Sequence, residues 1–190
     1  MQGNVKRCTW PTGDPLMIAY HDTEWGVPLH DDQKLYEFIV LDGAQAGLSW
    51  STVLNKRENY RKAFKGFDPK IVARFTARDV QRLMKDAGII RNRLKIESAI
   101  TNAKKFLEIQ KEFGSFDTYI WQFTNGTTVQ HRCKRLVDIP STSGESDAMS
   151  KDMKKRGFKF VGSTICYAFM QAAGMVNDHL VDCFRYQEVQ

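Results

Sequence analysis

The sequence predicts an all-α fold, and three observations support this prediction. Apolar residues recur at intervals of three and four through most of the chain, which is the spacing of one helical face. Residues that cap helix N-termini, and glycines that end helices, stand at the borders of these segments. Alternation of apolar and polar residues at every second position, which is typical of strands, is scarce. The 190 residues suggest one domain over 1–190, built as one compact unit or as two helical lobes.

The composition favours a soluble protein and is consistent with a polyanionic partner. Hydrophobic residues make up 42% of the chain, yet no apolar run approaches the roughly 18 residues of a membrane span. The N-terminal residues lack the apolar stretch of a signal peptide. We therefore expect a cytoplasmic protein with no membrane partner. The net charge of +6 is consistent with nucleic-acid binding, although many ordinary enzymes are as basic.

The first 33 residues are irregular and rich in large aromatic side chains. Glycine and proline punctuate this segment, which predicts a loop rather than a regular element. We expect such an aromatic loop to be held against the rest of the protein. Its large aromatic residues are Trp10, Tyr20 and Trp25.

The next stretch, residues 35–50, carries an acid on the apolar face of a helix. Either Asp31 or Asp32 can cap its N-terminus. Asp42 shares a face with the apolar side chains, where a carboxylate is costly unless something pairs with it. Two interpretations are open: Asp42 caps a neighbouring helix beside a core Trp50, or it faces a ligand that the nearby glycines admit. The apolar residues of this face are Leu35, Phe38, Ile39 and Ala46.

Capping residues divide the following segment into helices. Ser49 caps a helix that ends at a glycine. Asp68 and Pro69 begin a short helix, with the proline in its first turn. Residues 76–79 resemble a capping box and begin a helix that stops at Gly88.

Two helices joined by a short turn form a candidate helix–hairpin–helix at about residues 76–112. The turn spans Gly88–Arg93, and the second helix runs from about Asn92 to Glu112. The glycine would let the turn expose N–H groups to a DNA phosphate, as a helix N-terminus does. A plain αα-turn with solvated charges explains the same residues equally well.

The C-terminal part predicts three further helices around a basic loop. Ser115 caps the first of them. Residues 127–145 lack a pattern and carry clustered basic side chains, so we expect a surface loop. The second helix covers Ser146–Arg156. The third, Ser163–Ala173, is apolar nearly all round, which indicates a central buried helix.

Two cysteines and two histidines, divided between the ends of the chain, could form a metal site. His179 and Cys183 are four residues apart, which on a helix places both on one face. Cys8 and His21 lie in the aromatic N-terminal loop. Two cysteines and two histidines make a tetrahedral Zn²⁺ set without an open position, so such a zinc would be structural. Four unrelated residues, or a Cys8–Cys183 disulfide, remain alternatives.

Five ordered blocks of the chain carry a family resemblance. They read DPLMIAYHDTEWGVP, QAGLSWSTVLNKRENY, DAGIIRNR, IPSTS and KRGFKFVGSTICYAFMQAAGMVNDH. In these blocks the chain resembles the 3-methyladenine DNA glycosylase I family, bacterial constitutive enzymes of alkylation repair within the helix–hairpin–helix glycosylase superfamily. The resemblance covers Arg7 to about Cys183, which is nearly the whole chain.

The resemblance implies a DNA repair enzyme of base excision. It implies hydrolysis of the N-glycosidic bond of 3-methyladenine in alkylated double-stranded DNA, with the free base as product. No lysine stands in a motif for Schiff-base chemistry, so we expect a monofunctional glycosylase without lyase activity. Nothing in the sequence requires more than a monomer, and a bacterial enzyme of this kind would work on the nucleoid.

The resemblance also implies the residues of three sites. A structural zinc would tie the two termini together, and a pocket built on Tyr20, Trp50 and Asp42, with Trp10 and Trp25 nearby, would take the base. A 3-methylated adenine in DNA is cationic, so aromatic faces and a buried carboxylate suit it. The expected zinc ligands are Cys8, His21, His179 and Cys183. The expected DNA contacts are Gly88, Ile90, Arg91 and Arg93 of the hairpin, with Leu48 as a wedge in the duplex gap.

The acid itself departs from the family pattern, which has Glu where this chain has Asp42. Aspartate is one methylene shorter, so its carboxylate reaches roughly 1.5 Å less far. Ala44 replaces a Gln and Met17 a Tyr of the same pattern. One alternative is therefore a zinc-stabilised module that binds alkylated DNA with impaired catalysis. A zinc hydrolase is disfavoured, because the protein would fill all four metal positions.

Overall fold

The computed structural model describes residues 5–11 and 13–190. The chain is mostly helical, as the sequence predicts, with one small parallel sheet that the sequence does not predict. The sheet pairs Val129 with Val176 and Gln130 with Asn177. The helices are α1 Pro15–Thr23, α2 Asp32–Gln45, α3 Trp50–Leu54, α4 Arg57–Ala63, α5 Pro69–Val72, α6 Ala77–Lys85, α7 Arg93–Phe113, α8 Phe116–Trp121, α9 Gly144–Lys155, α10 Ser163–Ala172 and α11 Phe184–Glu188, and the strands are β1 Val129–Gln130 and β2 Val176–Asn177.

Helix α2 is the centre of the fold. Every residue from Leu35 to Ala44 is buried. The helix is covered by α10, α7, α3 and α8. A helix enclosed on all sides gives even its polar positions a low-dielectric surrounding, so Asp42 is buried together with the apolar residues of α2.

Several capping predictions are confirmed. Asp31, and not Asp32, caps α2 by accepting a hydrogen bond from the Lys34 N–H at 2.8 Å. Ser49 caps α3 through the Thr52 N–H. The capping box of α6 is present. The remaining predicted caps, Asp68 on α5 and Ser115 on α8, are also observed, and Asn92, where the sequence predicts the start of a helix, caps α7.

The prediction of an irregular loop over the first 33 residues is wrong for residues 15–23, which form α1. Asp14 caps this helix by accepting a hydrogen bond from the Leu16 N–H at 2.9 Å, and Pro15 lies in its first turn, so His21 belongs to a helix.

Two predicted helix boundaries are also wrong. Helix α2 ends at Gln45, so Ala46 lies outside the helix. The Lys95 ammonium donates to the carbonyls of Ala44 and Ala46 at 2.7 and 2.6 Å, which satisfies the helix C-terminus there. The single helix predicted after Ser49 is two helices, α3 and α4. The Ser51 carbonyl accepts hydrogen bonds from both the backbone N–H and the side chain of Asn55, at 3.0 and 2.9 Å. The next N–H group, that of Lys56, donates to the Val53 carbonyl, where α3 ends.

Within the two described ranges, none of the helices is both long and apolar enough to cross a bilayer.

Candidate active site

A cavity of about 240 Å³ opens beside the C-terminal half of α2. Helices α1, α2, α3 and α10 contribute to its wall, together with the N-terminal loop and the loop before α9. The structure therefore brings together residues that are far apart in sequence. The lining residues are Trp10, Met17, Tyr20, Trp25, Asp42, Gln45, Trp50, Ile139, Ala168 and Gln171.

Asp42 is the buried acid of this cavity. Its side chain is 2% exposed, and within the described chain its Oδ2 atom has no hydrogen-bond partner. Asp42 caps none of the helices defined above, so the interpretation of Asp42 as a helix cap is wrong. Burial raises the pKa of Asp42 well above its usual range, and the positive charge of Arg57 offsets only part of this shift.

Arg57 does not neutralise Asp42, because its guanidinium is already bound elsewhere. Its Nε donates to Glu37 at 2.5 Å, and a terminal nitrogen donates to Glu24 at 2.9 Å. These two carboxylates raise the pKa of Arg57 despite its burial. Asp42 is therefore available to a ligand that brings its own positive charge or its own donors.

The aromatic side chains of the cavity pack against one another. The ring centroids of Tyr20 and Trp50 are 5.2 Å apart, and those of Trp10 and Trp25 are 5.1 Å apart in an edge-to-face arrangement. The indole nitrogens of Trp10 and Trp50 are buried and, within the part of the chain that the structure describes, lack a partner. The cavity walls thus hold two unsatisfied donors, one unsatisfied carboxylate oxygen and several π faces, which suits a flat, polar, cationic ligand.

A second cluster joins the ends of the chain. This Cys/His cluster consists of Cys8, His21, His179 and Cys183. All four residues are buried, and their donor atoms lie within 4.8 Å of one another. Both cysteines are free thiols, so the disulfide alternative is wrong. A tetrahedral zinc with ordinary Zn–S and Zn–N bonds would place sulfur and nitrogen about 3.6 Å apart. The sulfur–nitrogen distances are 3.5 Å for Cys183 to His21, 3.7 Å for Cys183 to His179 and 3.7 Å for Cys8 to His179.

The partners of the two imidazoles determine which nitrogens face this cluster. His21 Nδ1 lies 2.7 Å from the Asp22 carboxylate, and His179 Nε2 lies 2.9 Å from the Trp25 carbonyl. The opposite nitrogens, Nε2 of His21 and Nδ1 of His179, therefore face the sulfurs as acceptors, which is the arrangement of metal-binding histidines. The neighbouring Cys8 and the two imidazoles lower the pKa of Cys183, which favours the thiolate that binds a metal.

One detail of the metal prediction is wrong. His179 and Cys183 do not lie on a helix, because the chain turns between β2 and α11. The Cys183 N–H donates to the Leu180 carbonyl at 2.8 Å, and the Leu180 N–H points to Cys8 Sγ at 3.3 Å. Tight turns, rather than helical spacing, bring the ligand atoms together.

The Cys/His cluster also supports the cavity wall. The Trp10 ring packs on the His21 ring, with centroids 5.3 Å apart. The carbonyl of Trp25 accepts the His179 hydrogen bond, and the two rings are 4.7 Å apart. Trp10 and Trp25 thus belong to both sites, so the position of the cavity wall depends on the cluster.

The predicted DNA-contacting residues lie apart from the cavity lining. Leu48 is 42% exposed in the turn between α2 and α3. In the turn between α6 and α7, the N–H groups of Gly88 and Ile90 are bonded to Asp86 and to the Tyr60 hydroxyl. These two N–H groups are therefore engaged within the protein, and DNA binding by this turn stays a prediction. A Cβ at Gly88 would lie 2.9 Å from the Asp86 carboxylate, so close packing requires the glycine. Arg91 and Arg93 are exposed.

Sequence reasoning missed several lining residues. Gln45, Ile139, Ala168 and Gln171 were not predicted to face a ligand. Gln171 had a usable signal, since it is a polar residue near the end of a helix that is otherwise apolar. The other three carry no pattern that separates them from ordinary helix or loop residues.

Comparisons with known proteins agree on one family. Residues 10–186 match the family model described as methyladenine glycosylase. DNA-3-methyladenine glycosylase 1 of Escherichia coli K12 is 54% identical over 96% of this chain and 97% of its own. A crystal structure of 3-methyladenine DNA glycosylase I superposes with a TM-score of 0.92 at 52% identity, over 94% of this chain and 98% of that one. A tyrosine-to-phenylalanine variant of such an enzyme, in complex with 3-methyladenine, has a TM-score of 0.91 at 37% identity, over 94% and 96% of the two chains.

Proposed function

The chain belongs to the methyladenine glycosylase family, and from this premise we propose how its cavity acts. The protein is a DNA repair glycosylase that hydrolyses the N-glycosidic bond of 3-methyladenine in alkylated DNA. The observation that carries the assignment to this cavity is Asp42, a buried carboxylate with an unsatisfied oxygen in an aromatic enclosure. The base would be extruded from the duplex and held there.

The chemistry asks little of the protein beyond binding. The methylated base is cationic in DNA, so its bond to the sugar is already weakened. Trp50 would stack on the base, and aromatic faces attract a cation by about 0.5–2 kcal/mol. Trp10 and Trp25 would complete the aromatic wall, and Tyr20 would pack beside Trp50. Groups that bind the cationic base more tightly than neutral adenine supply selectivity.

Asp42 would be the residue that distinguishes the charged base. The direction of its pKa shift means that burial without a partner charge disfavours the carboxylate form of Asp42. A cationic base supplies the positive charge that favours the carboxylate, which then accepts a hydrogen bond from the base. Neutral adenine supplies no such charge and leaves the burial cost of the carboxylate uncompensated. Asp42 would thus act on base recognition and electrostatics, and secondarily on the attacking water.

The glycosylase would lack lyase activity. The residues that line the cavity include no lysine. Burial lowers the pKa of Lys95, but its ammonium is bound by the carbonyls of Ala44 and Ala46. We assign Lys95 to the C-terminus of α2 and not to Schiff-base chemistry.

DNA would be held by the α6–α7 turn in the manner of a helix–hairpin–helix. Support comes from the exposed Arg91 and Arg93 at the start of α7, where the first N–H groups of the helix have no intrahelical partner. Gly88 and Ile90 would shape this turn, since their own N–H groups are engaged. Leu48 would enter the gap that the extruded base leaves. Undiminished affinity and rate in Leu48→Ala would contradict that role.

The Cys/His cluster would hold a structural zinc. Its donor set and its sulfur–nitrogen distances suit that ion. When bound, zinc would supply a cross-link between the termini and no chemistry to the base. With four protein ligands, Cys8, His21, His179 and Cys183, the site has no position for a reacting water.

Release of free 3-methyladenine from methylated DNA, measured by chromatography, tests the activity. Release above a buffer control is expected, and none would refute it. Asp42→Glu tests the alternative of a binding module with impaired catalysis. A large gain in rate would mean that the shorter acid limits the enzyme, whereas little change would mean that aspartate suffices. We further propose that the protein works as a single-domain monomer on the bacterial chromosome in the cytoplasm.

A further inference from the structure

Gln171, near the end of α10, is a polar side chain of the cavity with a fixed orientation. Its Nε2 atom lies 2.7 Å from Oδ2 of Asp178, which is 1% exposed. The same carboxylate accepts hydrogen bonds from the Tyr167 hydroxyl at 2.7 Å and from His131 Nδ1 at 2.6 Å. A carboxylate bound by three donors faces the NH₂ group of an amide and not its oxygen.

The amide oxygen of Gln171 is therefore turned away from Asp178. A flip of the amide would set its oxygen against a carboxylate oxygen, two acceptors in contact, and would cost a buried hydrogen bond. Over residues 5–11 and 13–190, no donor of the protein bonds to Gln171 Oε1. The Asp178 network thus presents a hydrogen-bond acceptor on a side chain that lines the base cavity.

We propose that Gln171 Oε1 accepts a hydrogen bond from the exocyclic amine of the methylated base. This inference rests on the proposed function and names the group of the base that the cavity recognises. An amine carries two N–H donors, one for Asp42 and one for Gln171. A base with an oxo group in place of the amine would set an acceptor against the oxygens of both Asp42 and Gln171. A site whose buried polar groups are left unpaired in this way strongly rejects the wrong base. Gln171 is a specificity-determining contact, and Tyr167 and His131 are positioning residues.

The test compares two free bases, 3-methyladenine and 3-methylhypoxanthine, titrated against the full chain by tryptophan fluorescence. Gln171→Met keeps the side-chain length and removes both the carbonyl oxygen and the NH₂ of the amide. Gln110→Met is the matched control, because Gln110 also donates to a carboxylate, that of Asp32 at 2.6 Å, but lies outside the cavity lining. Thermal unfolding of both variants shows whether each is folded.

Gln171→Met should weaken 3-methyladenine binding about tenfold, the factor of one hydrogen bond. Binding of 3-methylhypoxanthine should stay the same or tighten. The ratio of the two dissociation constants, that of 3-methylhypoxanthine divided by that of 3-methyladenine, therefore falls. Gln110→Met should leave the ratio unchanged. Equal weakening of both bases, or no change for either, would overturn the inference.

A measurement on the unmodified protein covers a variant that fails to fold. Saturation with 3-methyladenine should shift the side-chain carbonyl resonance of Gln171 in the NMR spectrum, and 3-methylhypoxanthine should not. The same small shift with both bases would overturn the inference. If the unmodified protein neither binds nor releases 3-methyladenine, the proposed function fails as well. If it does both while the ratio is unaffected by Gln171→Met, only the role of Gln171 fails.

Discussion

Replacing Asp42 by Asn separates the stability of the fold from the work of the cavity. The acid is 2% exposed with an unpartnered oxygen, and burial holds its pKa well above the usual range. Asparagine has nearly the same shape but no charge to bury. We expect the variant to be more stable than the unmodified protein at neutral pH and to lose most base release.

The magnitude follows from the direction of the pKa shift. An unfolded aspartate titrates near a pKa of about 3.9, whereas Asp42 in the folded protein keeps its proton to higher pH. Between these two pKa values the folded state binds more protons than the unfolded state, so stability falls as pH rises, by about 1.4 kcal/mol per pH unit. Asn does not titrate. The advantage of Asp42→Asn therefore grows by that slope from about pH 4 until Asp42 ionises.

The assay is urea unfolding of both proteins between about pH 2 and pH 8, with base release measured at neutral pH. Asp79→Asn is the control of opposite sign, because the Thr76 backbone N–H holds the pKa of Asp79 below its usual range. That variant should lose stability at neutral pH, and the loss should vanish as the pH falls through the folded pKa. A pH-independent difference for Asp42→Asn, or base release at the unmodified rate, would refute the reasoning.

Three other perturbations test the remaining sites. Cys183→Ala should abolish stoichiometric zinc in metal analysis and lower the free energy of unfolding by more than about 4 kcal/mol. The control Cys133→Ala should keep the metal. Full zinc in Cys183→Ala would contradict the ligand set. Trp50→Ala should weaken fluorescence-detected 3-methyladenine binding by roughly 10- to 100-fold, the range of one stacking contact, and intact binding would exclude stacking. Arg91→Ala should reduce the salt dependence of DNA affinity by a slope of about 0.9. Lys111→Ala, about 27 Å along α7 from the first residue of that helix, should not. Equal slopes in both variants would place the phosphate contact elsewhere.

Local signals predicted most of the helices. Side chains such as Ser49 and Asp31 begin helices by satisfying their own nearby N–H groups, so their effect can be read from sequence. Helix ends set from afar could not be read in this way. Lys95 bonds to the end of α2 across about fifty residues of chain, with a separation of 51 positions from Ala44. The pairing of β1 with β2 likewise depends on tertiary contact and has no alternating pattern over two residues.

The residues of the candidate site could likewise be predicted only where a local signal marks them. Asp42 could be singled out because a charge on an apolar face is costly, and the aromatic loop could be expected to pack against the fold. The roles expected for these residues still rest on the proposals above. Gln171 was missed because its importance comes from Asp178, a partner that only the folded chain brings near. The path by which His179 and Cys183 meet, through turns rather than a helix, also requires the structure.

A structure of the protein with 3-methyladenine bound would show whether Asp42 contacts the base. We expect the base in the cavity between Trp50 and the aromatic loop, with Asp42 Oδ2 within about 3 Å of a base nitrogen, the length of a hydrogen bond. A base seated there with Asp42 beyond hydrogen-bonding distance of every base nitrogen would contradict it. The same result would mean that this shorter acid does not reach the group it is proposed to read.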